Sequence, residues 1–170
     1  MFSLKPKIEL YSIGCIPSSV SDEILIQNGW YTFLIFESLS EVKNEQGFYI
    51  DKGIALVECK ECSSTKFGYP NDEGCYEHSL YKYTEKLDSG IIRASNTEYL
   101  NEINTQMDNS KKRIWGSRNV KVPKSTIKYF HFLIFLKEST FECISSQLKV
   151  HGYYENSIEA VEKALEIMQI

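Results

Sequence analysis

Long apolar runs are missing from this chain of 170 residues. The longest, Phe132 to Leu136, falls far short of the about 20 residues that a membrane helix needs. There is no glycine-rich phosphate loop, no nucleophile elbow and no alternating strand–helix–strand pattern of a nucleotide-binding sheet. No internal repeat, low-complexity tract or Pro/Gly/Ser-rich linker divides the chain. An excess of positive charge is missing too. Nineteen Lys and Arg stand against 23 Asp and Glu, a net charge of −4, which disfavours nucleic acid as a partner because neutralised phosphates supply most of that affinity. The stretch Met1 to Tyr11 carries Lys5, Pro6, Lys7 and Glu9 but no apolar core, so it does not read as a secretory signal. Five cysteines cannot all pair within one chain. A reducing cytoplasm, with free thiols or a metal site, is the expected setting.

What is present is ordinary for a globular protein, with 42% hydrophobic and 25% charged residues. The length suits a single domain over 1–170. Aromatic residues make up 13%, which favours strands. Asn28-Gly29 between Asp22–Gln27 and Trp30–Glu37 predicts a tight hairpin in which Ile26 faces Tyr31 and Ile24 faces Phe33. A second hairpin is predicted from Phe48–Ile50 to Ile54–Cys59 through Asp51-Lys52-Gly53. Residues 61–87 read as loop with one helical turn, and Ile91–Ala94 as a short strand. A helix near 96–107 follows, with Ser95 and Glu98 as its capping box and Tyr99, Leu100, Ile103 and Met107 as its apolar stripe. Thr126–Leu136 and Thr140–Val150 predict a hairpin turning at Glu138-Ser139. The C-terminal helix, near 156–169, is capped by Asn156 with Glu159, and its stripe is Ile158, Val161, Leu165 and Met168. Strands in hairpins with two separated helices predict an α+β fold with a mainly antiparallel sheet.

Two groups of residues carry candidate chemistry. Cys59-Lys-Glu-Cys62 is followed, after twelve residues, by Cys75-Tyr-Glu-His78. Two close ligand pairs at that separation are a spacing used by structural zinc sites. Against this, Cys59 ends the apolar run Ile54–Val57 and also reads as a buried strand residue. The run Gly68-Tyr-Pro70-Asn71-Asp72-Glu73 with His78-Ser-Leu80-Tyr81 and Ile91–Ala94 is similar to a block of an uncharacterised bacterial protein family. Phe130-His131-Phe132 followed by Lys137–Ile144, with its Ser-Thr-Phe-Glu-Cys-Ile run, resembles that family's second block. The resemblance implies a shared fold and shared polar positions, with the Asn-Asp-Glu and histidine recurring without the cysteine pairs. It implies no activity.

The second group lies on the predicted hairpin at 126–150. One strand face carries Phe130, Phe132, Ile134 and Leu136 with Phe141 and Cys143, and is expected to be core beneath the C-terminal helix. The other carries His131 opposite Ser146, with Glu142 two pairs further along. A loop holding Asn71, Asp72, Glu73 and His78 folded over this face would create a cleft of two imidazoles and several carboxylates. Such groups suit general acid–base work, and they equally suit a satisfied structural network. The segment Lys111, Lys112, Arg113, Arg118, Lys121, Lys124 and Lys128, with Trp115, reads as a hydrated connector or an anion-binding patch. In the absence of a catalytic motif, the first functional expectation is a non-catalytic binding or regulatory protein acting through protein contacts, of the antidote type that plugs a basic toxin. Trp30, Tyr31, Tyr49, Tyr153 and Tyr154 are its candidate anchors. A small hydrolase-like enzyme using His131, His78, Glu142 and Asp72 is the alternative, and a zinc-stabilised module the third.

Overall fold

The computed structural model describes residues 5–20, 23–84, 87, 90–116 and 127–169. Among them, ten strands form two antiparallel sheets of five. Sheet A has the order β1 (Lys7–Leu10), β7 (Ile92–Ser95), β8 (Phe130–Phe135), β9 (Thr140–Ser145), β6 (Ser64–Gly68). Sheet B runs β10 (Gln147–Tyr154), β5 (Tyr49–Lys60), β4 (Thr32–Lys43), β2 (Ile16–Pro17), with β3 (Ile24–Gln27) also paired to β4. The fold is α+β, as the strand and helix pattern predicts. The inner faces meet in one core: Phe132, Ile134, Phe141 and Cys143 of sheet A pack against Leu34, Phe36, Ala55 and Val57 of sheet B. Each outer face is covered by a helix. The start of α2 (Glu98–Gly116) lays Tyr99 and Leu100 on Ile144. On sheet B, α3 (Ser157–Met168) lays Ala160, Ala164 and Met168 on Phe33, Ile35 and Leu56.

The apolar face of β8 and β9 therefore packs against the second sheet and not beneath α3. α3 keeps part of the expected stripe, with Met168 buried and Val161 packed against sheet B. Ile158 is exposed, and the helix turns its alanines inward instead, because small side chains let it approach the aromatic face of sheet B closely. Its N-cap is as predicted: Asn156 Oδ1 accepts from Glu159 N at 3.0 Å, and Asn156 Nδ2 donates to Glu159 Oε1 at 2.9 Å. At α2 the cap moves two residues from Ser95 to Thr97, whose Oγ1 accepts from Leu100 N at 3.2 Å. Any of the three residues Ser95, Asn96 and Thr97 can cap a helix, and Ser95 is taken up by β7.

Three strand expectations change. The Asn28 turn closes with Gln27 opposite Thr32 and Ile26 opposite Phe33, because Asn28 Oδ1 accepts from the backbone of both Trp30 and Tyr31 and widens the loop to four residues. The register slips by two, so the faces stay as expected. Asp51-Lys52-Gly53 is no hairpin but a bulge in a continuous β5, where Ser38 pairs with Gly53 and Leu39 with Asp51. The strand expected at Thr140–Val150 is two strands in different sheets. Phe141 and Cys143 point inward before Ser146, and Leu148 after it, so one extra residue at the corner moves the chain from sheet A to sheet B. The loop 61–87 also contains β6, with a 3-10 turn at Cys75–Glu77 and one helical turn, α1 (Tyr81–Thr84). Asp22, Thr126, Arg118, Lys121 and Lys124 lie outside the described residues, as does the side chain of Trp115. No described helix is long and apolar enough to cross a membrane.

Candidate functional site

β8 and β9 pair with His131 opposite Ile144 and Leu133 opposite Glu142, two residues away from the expected register. The slip preserves the faces and brings Glu142 nearer: it becomes the diagonal neighbour of His131 on the outer face of sheet A. His131 Nε2 lies 2.7 Å from Glu142 Oε2. His78, carried in by the turn at Cys75–Glu77, places its Nε2 3.4 Å from that same oxygen. Three of the sequence-predicted residues thus converge on one atom, with His131 and Glu142 buried. They line a cleft of about 450 Å³ that also takes in Lys66, Lys82, Tyr83, Asn96 and Tyr99.

The hydrogen-bond pattern fixes what the imidazoles do. His78 Nδ1 accepts from the backbone N–H of Leu80 at 3.2 Å, so that nitrogen holds no proton and Nε2–H faces the carboxylate. The ionised Glu142 carboxylate can only accept, so His131 Nε2 carries the proton towards it. In the neutral ring Nδ1 then accepts from the hydroxyl of Thr97 at 3.0 Å, while Thr97 Oγ1 accepts from Leu100 N. Tyr99 closes one side of the His131 ring edge-on, at 5.2 Å between centroids. Its hydroxyl donates to Ser64 Oγ at 2.7 Å, and Lys66 Nζ lies 3.8 Å over its ring. Burial alone would push the Glu142 carboxyl up, but the hydrogen bonds from His131 and His78 outweigh it and hold it well below the ordinary carboxylate range.

The remaining candidates go elsewhere. Asn71 Oδ1 accepts from Gly74 N, three residues on, at 3.0 Å and closes a side-chain turn. That turn aims the loop at the end of the β8–β9 hairpin: Asp72 N donates to Leu136 O at 3.0 Å, and Glu73 faces Lys137 at 3.8 Å. Asp72 lines a separate cavity of about 290 Å³ with Cys75 and Phe135. The expected cleft is therefore lined by Glu98 and Glu102 of α2 besides Glu142, and by neither Asp72 nor Glu73. The zinc quartet is not gathered either. Cys59 and Cys62 belong to the core between the sheets, Cys75 to the smaller cavity, and His78 to the outer face of sheet A. Among the described residues no group of three or more His, Cys, Asp or Glu is placed to hold a metal ion.

Sequence reasoning missed Thr97, Tyr99 and Lys66, which brace the site, and a second buried cluster on sheet B. There, Glu58 Oε2 receives His151 Nε2 at 2.6 Å and Lys60 Nζ at 2.7 Å. Burial pushes the Glu58 carboxyl up, and the bonds from Lys60 and His151 more than reverse this, so it too is lowered. For Thr97 the signal is its residue type, since Thr beside Ser95 is an equally good helix cap. The Glu58–His151 pair carries no such signal, because it rests on pairing between β5 and β10, about ninety positions apart in sequence. Compared with known proteins, the chain matches no family model, no curated protein and no solved structure.

Proposed function

We propose that this protein acts by binding a partner protein and not by catalysis, with the tip of the β4–β5 hairpin as the contact. The supporting observation is an ordered turn that presents apolar side chains to solvent. Asn44 Oδ1 accepts from Gln46 N and Phe48 N, and Asn44 N donates to Phe48 O. On this braced tip Val42 is 76%, Phe48 70% and Ile50 53% exposed. Lys43 pairs with Tyr49, so Val42 and Ile50 share one face with Phe48, while Lys43 stacks on Tyr49 on the other. Clustered exposed apolar groups of this kind are characteristic of interaction sites. Of the expected anchors, Trp30 is 90% exposed at the opposite end of β4, while Tyr31 stacks on Phe33 at 6.0 Å. The net charge of −4 favours a basic partner, in keeping with an antidote-type role.

The cleft supports this reading from the other side. All four imidazole nitrogens of His78 and His131 are committed to Leu80, Thr97 and Glu142, and a carboxyl held so low is a weak base near neutral pH. The hydrolase reading retains one observation in its favour, the convergence of three titratable groups in an open cleft. Native mass spectrometry of the protein purified gently from its own host separates the two. A stoichiometric complex is expected, lost on changing both Phe48 and Ile50 to Asp and kept in His131→Ala. A monomer of 19.7 kDa, or a complex indifferent to the hairpin substitutions, would overturn the binding reading.

A further inference from the structure

At the crossing from sheet B to sheet A, where β5 ends at Lys60 and β6 begins at Ser64, three thiols meet. Cys59 points inward from sheet B and Cys143 inward from sheet A, both buried in the shared core. Cys62 packs against the same core from the crossing, half-buried, with its Sγ donating to Ser64 O at 3.5 Å. Thr65 of β6 pairs with Cys143, and Ser63 N donates to Ile144 O at 2.8 Å, so the crossing that carries Cys62 runs alongside Cys143 at the core it shares with Cys59. All five cysteines are free. The other two stand apart, Cys15 in the core beside Tyr153 and Cys75 in the small cavity.

We propose that Cys62 and Cys143 are a redox modification site: a hydroperoxide oxidises Cys62, and Cys143 converts the product to a disulfide that ties the crossing to β9. The Cys62 sulfur attacks one peroxide oxygen, the O–O bond breaks, and the departing oxygen leaves as water (or an alcohol from an alkyl peroxide) with the thiol's proton. Cys62 becomes a sulfenic acid. The Cys143 sulfur then attacks the Cys62 sulfur, the S–S bond forms, the S–O bond breaks, and hydroxide leaves with the Cys143 proton as water. Two thiols are thereby oxidised by two electrons and one peroxide is reduced.

Access and acidity assign the roles. Cys62 alone of the three reaches solvent, and the hydrogen bond from Cys143 outweighs burial to lower its thiol. Burial pushes the Cys143 thiol up, which suits a group that waits for an oxidised neighbour. A reactive, accessible thiol with a resolving thiol beside it is the arrangement of peroxide-responsive cysteines. The bridge would form on the inner side of β9, directly behind Glu142. Ser64, which accepts from Cys62, also accepts the Tyr99 hydroxyl on the cleft side.

The test treats the folded, full-length protein with dilute hydrogen peroxide, blocks remaining thiols by alkylation, and maps peptides by mass spectrometry without reduction. A Cys62–Cys143 linkage two hydrogens lighter than the free peptides is expected, reversed by dithiothreitol, unchanged in Cys75→Ser and lost in Cys62→Ser. Cys143→Ala should instead leave a sulfenic acid at Cys62 that a 1,3-dione traps. Because Cys143 is buried, its variant is first checked for folding by circular dichroism, and the half-buried Cys62→Ser carries the test independently. Sulfinic acid at Cys62 with Cys143 still free, a bridge from Cys62 to Cys59 or Cys75, or no reaction at Cys62 would each overturn the assignment.

Discussion

Thr97 serves two elements with one oxygen. It caps α2 through Leu100 N and gives its proton to His131 Nδ1. Replacing it with Ala removes both bonds, and loss of such a cap costs about 1–2 kcal/mol. Thr97→Ser keeps the oxygen and should recover most of it. The prediction is checked by urea unfolding of both variants with nitrogen NMR of His131. Equal destabilisation by Ala and Ser, or an unchanged His131 signal in Thr97→Ala, would contradict the shared role. At this scale the sequence disclosed more than its register did. His131 and Glu142 could be placed on one strand face because strand alternation has period two, and a two-residue slip does not disturb it. Asn71, Asp72 and Glu73 could not be placed, because where the turn closed by Asn71 aims depends on the carbonyl of Leu136 that it finds.

Among the elements, β5 shows how a glycine can signal a bulge and pass for a hairpin turn. Gly53 has φ +80°, and a Cβ there would meet the carbonyl oxygen of Tyr154 at 2.6 Å. Gly47, in the actual β4–β5 turn, has φ +84° with nothing within 4 Å. The two share a left-handed backbone and differ in the neighbour. Alanine at either position meets the backbone penalty of about 1–2 kcal/mol. At Gly53 it must also displace β10, so the total should reach about 2–4 kcal/mol. Thermal unfolding of both variants decides it: similar losses would mean that the approach of β10 is compliant. Sequence could not separate the two turns, since Asp51-Lys52-Gly53 has the residues of either, and the Asp51 side chain indeed accepts from Gly53 N at 2.7 Å. The C-terminal helix was legible down to its cap, because capping is local. Which face it buries was legible only at Val161 and Met168, because the rest depends on the shape of sheet B.

Across the whole molecule, the two sheets repeat one arrangement with different residues. Each outer face, partly roofed by a helix, holds a buried glutamate bonded by histidine: Glu142 with His131 and His78, Glu58 with His151 and Lys60. Both carboxyls lie below their ordinary value of 4.5 in the folded state. A carboxyl lowered by folding contributes stability above its unfolded pKa, and that contribution is lost as pH falls through the folded value. Stability should therefore decline from about pH 4.5 downward. Glu142→Gln and Glu58→Gln should each cost about 1–3 kcal/mol at pH 7, as hydrogen bonds to charged groups do, and each should flatten the acid decline. The two sites face away from each other across packed sheets about 10 Å apart. Their costs should consequently add to within about 0.5 kcal/mol in the double variant. Urea unfolding of the four proteins at pH 7 and pH 3 measures both claims. An acid decline as steep in the double variant as in the parent would show that other groups govern it. A non-additive cost would show that the shared core transmits strain from one face of the sandwich to the other.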